Sequence, residues 1–334
     1  MKSDITVIVP MYNVEKYVKK CFESLENQTY SNFEVLAIND GSPDNSSKYA
    51  KECAAKDNRI KVIDKENGGY GSALELAINS INSDYFLVCD PDDWLEEDCL
   101  EVLYTFAKNN DTDIVVGDRF DVYADDGSAH KCSVKPGYLE SIEPKKVYSE
   151  TQDIQLFSFF QVSPHAKLYK TQLLKNVSFP KHVSYTDFLL YLVALSRAKK
   201  VSYYDKALAF YLQDRPGNTA TDIRKSIIND YLTVWKKTFE IINNNNVDNN
   251  VDFLMYRLYM QLRLILAEYK RVSINGFNNK YWSNIMSAVY ELQDIEINTV
   301  PYFENSMIKK TFFKFFMNRK TANFTAKMYV TLKK

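Results

Sequence analysis

The chain has 334 residues, 42 of them Lys or Arg and 43 Asp or Glu, for a formal net charge of −1. That length exceeds one ordinary domain and falls short of three, which predicts a catalytic domain with a smaller appendage. The charge balance excludes a nucleic-acid binder working through a global positive field, and no apolar run reaches the roughly 20 residues that span a bilayer.

The N-terminus, MKSDITVIVPMYN, enters an apolar strand after one lysine, with no h-region or small-residue cleavage site, so the chain is expected to be cytoplasmic. Five cysteines, Cys21, Cys53, Cys89, Cys99 and Cys132, lie scattered with no C-x-x-C pair and are expected to be reduced thiols serving as small hydrophobes.

In chain order, short apolar runs alternate with helix-length amphipathic stretches: ITVIVP at 5–10, FEVLAIN at 33–39, IKVID at 60–64, YFLVCD at 85–90 and DIVVGD at 113–118. Apolar strands separated by helical crossovers predict an α/β fold whose parallel sheet is covered on both faces. Ligands of such sheets sit beyond the carboxyl ends of the strands. Those ends carry Pro10-Met11-Tyr12-Asn13, Asn39-Asp40-Gly41-Ser42, Glu66-Asn67-Gly68-Gly69 and Asp90-Pro91-Asp92-Asp93, so four polar clusters are expected on one rim.

Each cluster has a chemical and a merely structural reading. Asp90, Asp92 and Asp93 place three carboxylates at a strand exit, where a hard divalent cation bridging a diphosphate needs oxygen ligands. The same Asp-Pro-Asp-Asp-Trp run is also what caps and opens a helix. Asp40 can accept a hydrogen bond from a base or ribose, while Ser42-Pro43 reads equally as a helix start. Asn67-Gly68-Gly69 offers glycines that let backbone approach phosphate at a helix N-terminus.

Beyond 120 the periodicity fades, with Gly127, Pro136, Gly137 and Pro144 marking an irregular loop or short strands. It resumes as QDIQLFSFF, a helix around TQLLKN, another at YTDFLLYLVALSRA and a strand-like ALAFYL. After 223 the pattern is helical, broken by the tract Asn243 to Asn250 and by Asn275-Gly276. From Ile308 onward the chain carries lysines and Arg319 among phenylalanines and no acid. Such a segment either lies on an anionic membrane surface or packs its aromatics on the helical region or a dimer interface.

The order and spacing of VPMYN, NDGSPD, NGGYGSALELAI and DPDDW resemble family 2 glycosyltransferases with the GT-A fold, firmly over residues 5–120 and loosely to 220. The resemblance implies a Rossmann-like, mostly parallel central sheet with helices on both faces and a helical C-terminal appendage. Its expected division is a catalytic domain at 1–222, with a nucleotide-sugar half at 1–120 and an acceptor-side half at 121–222, followed by 223–334. It implies an inverting transfer of a sugar, a hexosyl or N-acetylhexosaminyl group, from a nucleotide diphosphate donor, UDP above others, to a hydroxyl of a glycan, glycolipid or glycoprotein. Mn²⁺ or Mg²⁺ is the expected bridge.

By the same likeness Pro10, Tyr12, Asn13, Asp40, Asn67, Gly68 and Gly69 contact the donor, Asp90 and Asp92 form the metal motif, Asp92 above all, with Asp93 beside them, and Asp187 in YTDF is the general base, a helix-capping Asp ahead of FLLYLVAL being the alternative. Two departures stand out: Asn39 replaces an acid, and Leu74 stands where many members carry an arginine reaching the diphosphate. Arg215, in QDRPGNT, is the expected substitute cation, since a guanidinium fork suits phosphate oxygens. His165, in SPHAKLYKT, is a further candidate ligand, with a structural histidine as the alternative. The rival from another class is a GT-A-like binding or scaffold module without turnover. A sugar nucleotidyltransferase would carry a glycine- and basic-rich loop where this chain has MYNVEKY.

Overall fold

The computed structural model describes residues 2–215, 226–244, 251–273, 279–297, 299–304 and 306–332. The expected boundary at 222/223, Pro216 to Thr219, Asn245 to Asn250, Asn275-Gly276, Lys333 and Lys334 lie outside them. The chain divides into two compact units, Met1–Thr221 and Asp222–Lys334.

The first unit runs β1 (Ile5–Met11), α1 (Val18–Glu26), β2 (Phe33–Asn39), α2 (Ser46–Ala54), β3 (Ile60–Asp64), α3 (Tyr70–Ser80), β4 (Tyr85–Val88), β5 (Trp94–Leu95), α4 (Cys99–Asn110), β6 (Ile114–Tyr123), β7 (Ala129–Cys132), β8 (Val147–Tyr148), α5 (Thr151–Leu156), β9 (Lys167–Lys170), α6 (Asp187–Arg197) and β10 (Val201–Gln213). One sheet has the order β3-β2-β1-β4-β9-β6-β10-β5, with β7 beside β6 and β8 beside β10. Pairs β1–β2, β2–β3, β1–β4 and β6–β10 are parallel; β9 runs against both β4 and β6, and β5 against β10.

All seven residues of β1 are buried, as expected of a central strand covered on both faces. Its odd-numbered residues Ile5, Val7 and Val9 join Val18, Phe22, Ala50, Leu100 and Leu103 in one core, which places α1, α2 and α4 on that face. Helix α3 contacts β1 and β2, and its buried Ala73, Leu74, Ala77 and Ile78 stand outside that core. The mostly parallel α/β architecture with helices on both faces is therefore present.

Several local expectations need correction. Asp90-Pro91-Asp92-Asp93-Trp94 does not open a helix directly: a turn leads into β5 at Trp94–Leu95, and α4 starts only at Cys99. Ser42 does not cap a helix at Pro43, because α2 begins at Ser46 and the Ser42 hydroxyl instead accepts from the Asn13 N–H at 3.2 Å. TQLLKN forms only a short 3₁₀ turn, Thr171–Leu173. ALAFYL lies inside the longer β10. The antiparallel β9, sequence KLYK, inserts between β4 and β6, where the run of apolar segments predicts neighbouring strands of a parallel sheet.

The second unit is helical in its described residues: α7 (Ile227–Asn244), α8 (Asp252–Val272), α9 (Asn279–Gln293), α10 (Met307–Phe316) and α11 (Ala322–Leu332). Its core is aromatic. The Trp235 indole N–H donates to the Leu258 carbonyl at 2.9 Å, and Tyr259 lies edge-on to Phe313 and Phe316 at 4.8 and 5.3 Å between centroids. No described helix is long and apolar enough to cross a membrane.

Candidate active site

Parallel β3, β2, β1 and β4 end on one rim, and their loops are tied together by backbone. The Asp40 N–H donates to the Met11 carbonyl at 2.9 Å and the Lys65 N–H to the Asn39 carbonyl at 3.0 Å. Pro10 is buried at the end of β1, while Tyr12 is exposed beyond it and Asn13 adopts a positive φ of 55°. The rim brings Asp40 and Asn67-Gly68-Gly69 into direct contact. Asp40 is buried, and its carboxylate accepts from the backbone N–H groups of Gly68 (2.9 Å) and Gly69 (2.8 Å) and from the Lys65 ammonium. The Asn67 side-chain amide donates to the Asp40 carbonyl at 2.9 Å. Asp40 thus builds the glycine turn from which α3 starts, a role that the sequence did not disclose.

Gly69 has φ 83° and ψ 166°, a region open essentially to glycine alone. A Cβ there would also lie 2.9 Å from the His182 nitrogen, and the His182 N–H in turn donates to the Gly68 carbonyl at 2.8 Å. The turn thereby holds the loop that leads into α6, whose first residue is Asp187.

Tyr70, the first residue of α3, joins the two acidic positions. Its hydroxyl donates to Asp90 Oδ1 at 2.8 Å and also lies within bonding influence of Asp187. Asp187 retains partial exposure as a residue, but its Oδ1 is sealed from solvent and has no partner among the described residues. Burial raises the Asp187 pKa to about 6, against the pull of the Tyr70 hydroxyl and the Lys167 ammonium. Asp90 is pushed well above the usual carboxylate range, by burial first and then by the charges of Asp187 and Asp92. Lys167, fully buried on β9, is lowered to about 7 by burial and by Arg119, while Asp187 opposes the shift.

Asp93 and Asp92 face different partners. Asp93 is buried, accepting from the Leu212 N–H at 2.8 Å and sitting 2.7 Å from His165 Nε2. Burial drives the pair toward neutrality, raising Asp93 and lowering His165. The Asp92 carboxylate is held by the Arg215 guanidinium, which also lies over the Tyr17 ring at 4.9 Å. Leu74 is buried in α3 and Glu75 accepts from the Phe179 N–H, so neither reaches toward a diphosphate.

Asp90, Asp93 and His165 each offer a ligand atom, all within 4.8 Å of one another. The two carboxylates suit Mn²⁺ or Mg²⁺ in donor type, while the imidazole favours a softer ion than Mg²⁺, and crowded acids whose charges raise one another are what a divalent cation relieves. Asp92, the expected ligand, stands outside this group and is neutralised by Arg215. The structure thus gathers Asp90, Asp92, Asp93, Asp187 and Arg215 around one rim, with Asp40, Asn67, Gly68 and Gly69 beside them. Tyr70, Lys65 and Lys167 were not anticipated. Only the position of Lys65 and Tyr70 on either side of Glu66-Asn67-Gly68-Gly69 hinted at them.

Residues 6–178 match glycosyl transferase family 2. The chain is 35% identical over 212 residues to glycosyltransferase GlyA of Streptococcus pneumoniae, an alignment covering 62% of this chain and 30% of that relative, so the chain spans under a third of its length. In fold it is similar to residues 1–349 of S. aureus TarS in complex with UDP-GlcNAc, with TM-score 0.65, 19% identity and coverage of 99% and 91% of the two chains. It is also similar to the mannosyltransferase PcManGT of Pyrobaculum calidifontis in complex with GDP-Man and Mn²⁺, with TM-score 0.50, 13% identity and coverage of 99% and 86%.

Proposed function

Because the chain belongs to glycosyl transferase family 2, we propose that it transfers a sugar, a hexosyl or N-acetylhexosaminyl group, from a nucleotide diphosphate donor to a hydroxyl of a glycan, glycolipid or glycoprotein, with inversion at the anomeric carbon. UDP is the favoured carrier; the fold neighbour TarS was solved with UDP-GlcNAc. The observation that carries the reading is the bridge formed by Tyr70 between the acidic rim at Asp90 and the half-sealed carboxylate of Asp187. It sets a candidate base beside a candidate diphosphate site.

In this reading Tyr12, Asn13 and the loop around Asp40 receive the nucleoside, and the glycine turn that Asp40 builds offers backbone to the phosphates. Asp90 and Asp93, with His165 or Asp92 completing the set, would hold a divalent cation, which would supply charge neutralisation to a diphosphate; PcManGT, a neighbour in fold, was solved with Mn²⁺. Arg215 exchanges Asp92 for a phosphate oxygen when donor is present. Asp187 takes the acceptor hydroxyl proton as that oxygen attacks the anomeric carbon; the bond to the diphosphate breaks and its electron pair leaves with UDP. A positioned base of this kind contributes about 10²- to 10⁴-fold. The C-terminal helices form an appendage to a catalytic domain that ends near residue 222.

Calorimetry of UDP with and without Mn²⁺, on the wild type, Asp90→Ala and Asp92→Ala, tests the donor site. Mn²⁺-dependent binding by the wild type, weakened by either substitution, is the expected result. Equal affinity in every titration would remove the cation from the account.

A further inference from the structure

Helices α10 and α11 each have an inner face that is already satisfied: Phe313, Phe316, Ala322 and Ala326 are buried. Their outer faces are also apolar. On α10, Met307 and Ile308 are 77% and 82% exposed, and Phe315, seven residues on from Ile308, is exposed on the same side. On α11, Phe324 is 71% exposed and Met328 follows at the i+4 position. Lysines border these residues: Lys310 and Lys314 lie together on one side of Met307 on the α10 wheel, and Lys327 lies beside Phe324, on the side away from Met328.

No acid occurs after Ile308, and two of the acids that precede it are engaged, Glu304 by Lys309 and Asp294 by Arg319. Lys310, Lys314 and Lys320 are exposed and make no ion pair among the described residues. The result is a pair of apolar helix faces bordered by exposed positive charge. A second copy meeting it across a two-fold axis would bring lysines against lysines, which is repulsive. A bilayer with anionic headgroups answers both features: apolar side chains enter the acyl boundary and ammonium groups stay at the headgroup level.

We propose that the α10–α11 pair is a peripheral docking surface for an anionic lipid bilayer. It is distinct from the donor site and does not depend on the assignment of that site. Two signals act together here, since neither a few exposed apolar side chains nor a few lysines alone give stable attachment.

The test is co-sedimentation of the full chain with vesicles of phosphatidylcholine alone or with about one third phosphatidylglycerol, at low and high salt. Binding to the anionic vesicles is expected to exceed binding to neutral ones by about tenfold and to fall with salt. Ile308→Glu with Phe324→Glu, and separately Lys310→Glu, Lys314→Glu and Lys320→Glu together, should each lower it about tenfold while leaving thermal unfolding and UDP affinity unchanged. A wild-type chain that stays in the supernatant overturns the proposal, as do variants that sediment like wild type or binding indifferent to headgroup charge. If the apolar double variant instead dissociates an oligomer by analytical ultracentrifugation while wild type ignores vesicles, the face is a protein interface and the proposal fails.

Discussion

Asp187 begins α6 with one carboxylate oxygen sealed and without a partner among the described residues, and that position makes opposing demands on stability and chemistry. Its folded pKa of about 6 exceeds the ordinary 3.8, so the folded state favours the neutral acid. The penalty for ionising it is present above about pH 6 and disappears as pH falls through 6 toward 4. At pH 7 that penalty is on the order of 3 kcal/mol, an upper figure because the residue keeps some exposure. Asp187→Asn should therefore raise the unfolding free energy by about 1 to 3 kcal/mol in urea titrations, while transfer falls 10²-fold or more. Since only the carboxylate can act as base, kcat/KM should decline as pH drops through about 6; a flat profile from pH 5 to 8, read on the same donor and acceptor, contradicts the assignment. The positions of Asp187, Asp90 and Asp40 on the rim were legible in the sequence because short motifs carry them, though the turn that Asp40 builds was not. Lys167 was not, since a lysine in KLYK on a four-residue strand looks solvated until the fold buries it among Arg119, Tyr191 and Asp187.

Between elements, the glycine turn before α3 couples two regions far apart in sequence. Gly69 occupies a backbone conformation that an L-residue resists, and the atom a side chain would strike is the His182 backbone on the loop entering α6. Gly69→Ala should cost about 2 to 4 kcal/mol of stability by chemical denaturation. UDP affinity and transfer should fall together, because the turn proposed to meet the phosphates and the loop carrying the proposed base shift as one. Loss of transfer with intact UDP affinity and stability would contradict that coupling. The βαβ rhythm of the first 90 residues was readable because a buried parallel strand is a continuous apolar run. The reversal at β9 was not. Its four residues include two lysines, and its pairing with β4 and β6 is a long-range choice that no local pattern encodes. The same limit explains Asp-Pro-Asp-Asp-Trp, where pairing of Trp94–Leu95 with Ala209 and Phe210 of β10 replaces the helix start that capping chemistry suggests.

Across the whole molecule, membership of glycosyl transferase family 2 coincides with a rim that concentrates acid where a donor diphosphate is expected. Asp92 pairs with Arg215 on that rim, and the sequence could name both residues without disclosing that they meet. The helical second unit was legible as helix, but its aromatic core and its apolar basic outer face could not be told apart, since phenylalanines serve in both. The most direct test of the central claim is incubation of the purified chain with a panel of nucleotide sugars in Mn²⁺, measuring release of free nucleoside diphosphate for the wild type and for Asp90→Ala. The account predicts slow hydrolysis of at least one UDP-sugar by the wild type, lost on chelation and reduced about 10²-fold or more in the variant. No hydrolysis of any nucleotide sugar, together with no measurable binding of UDP, would contradict it.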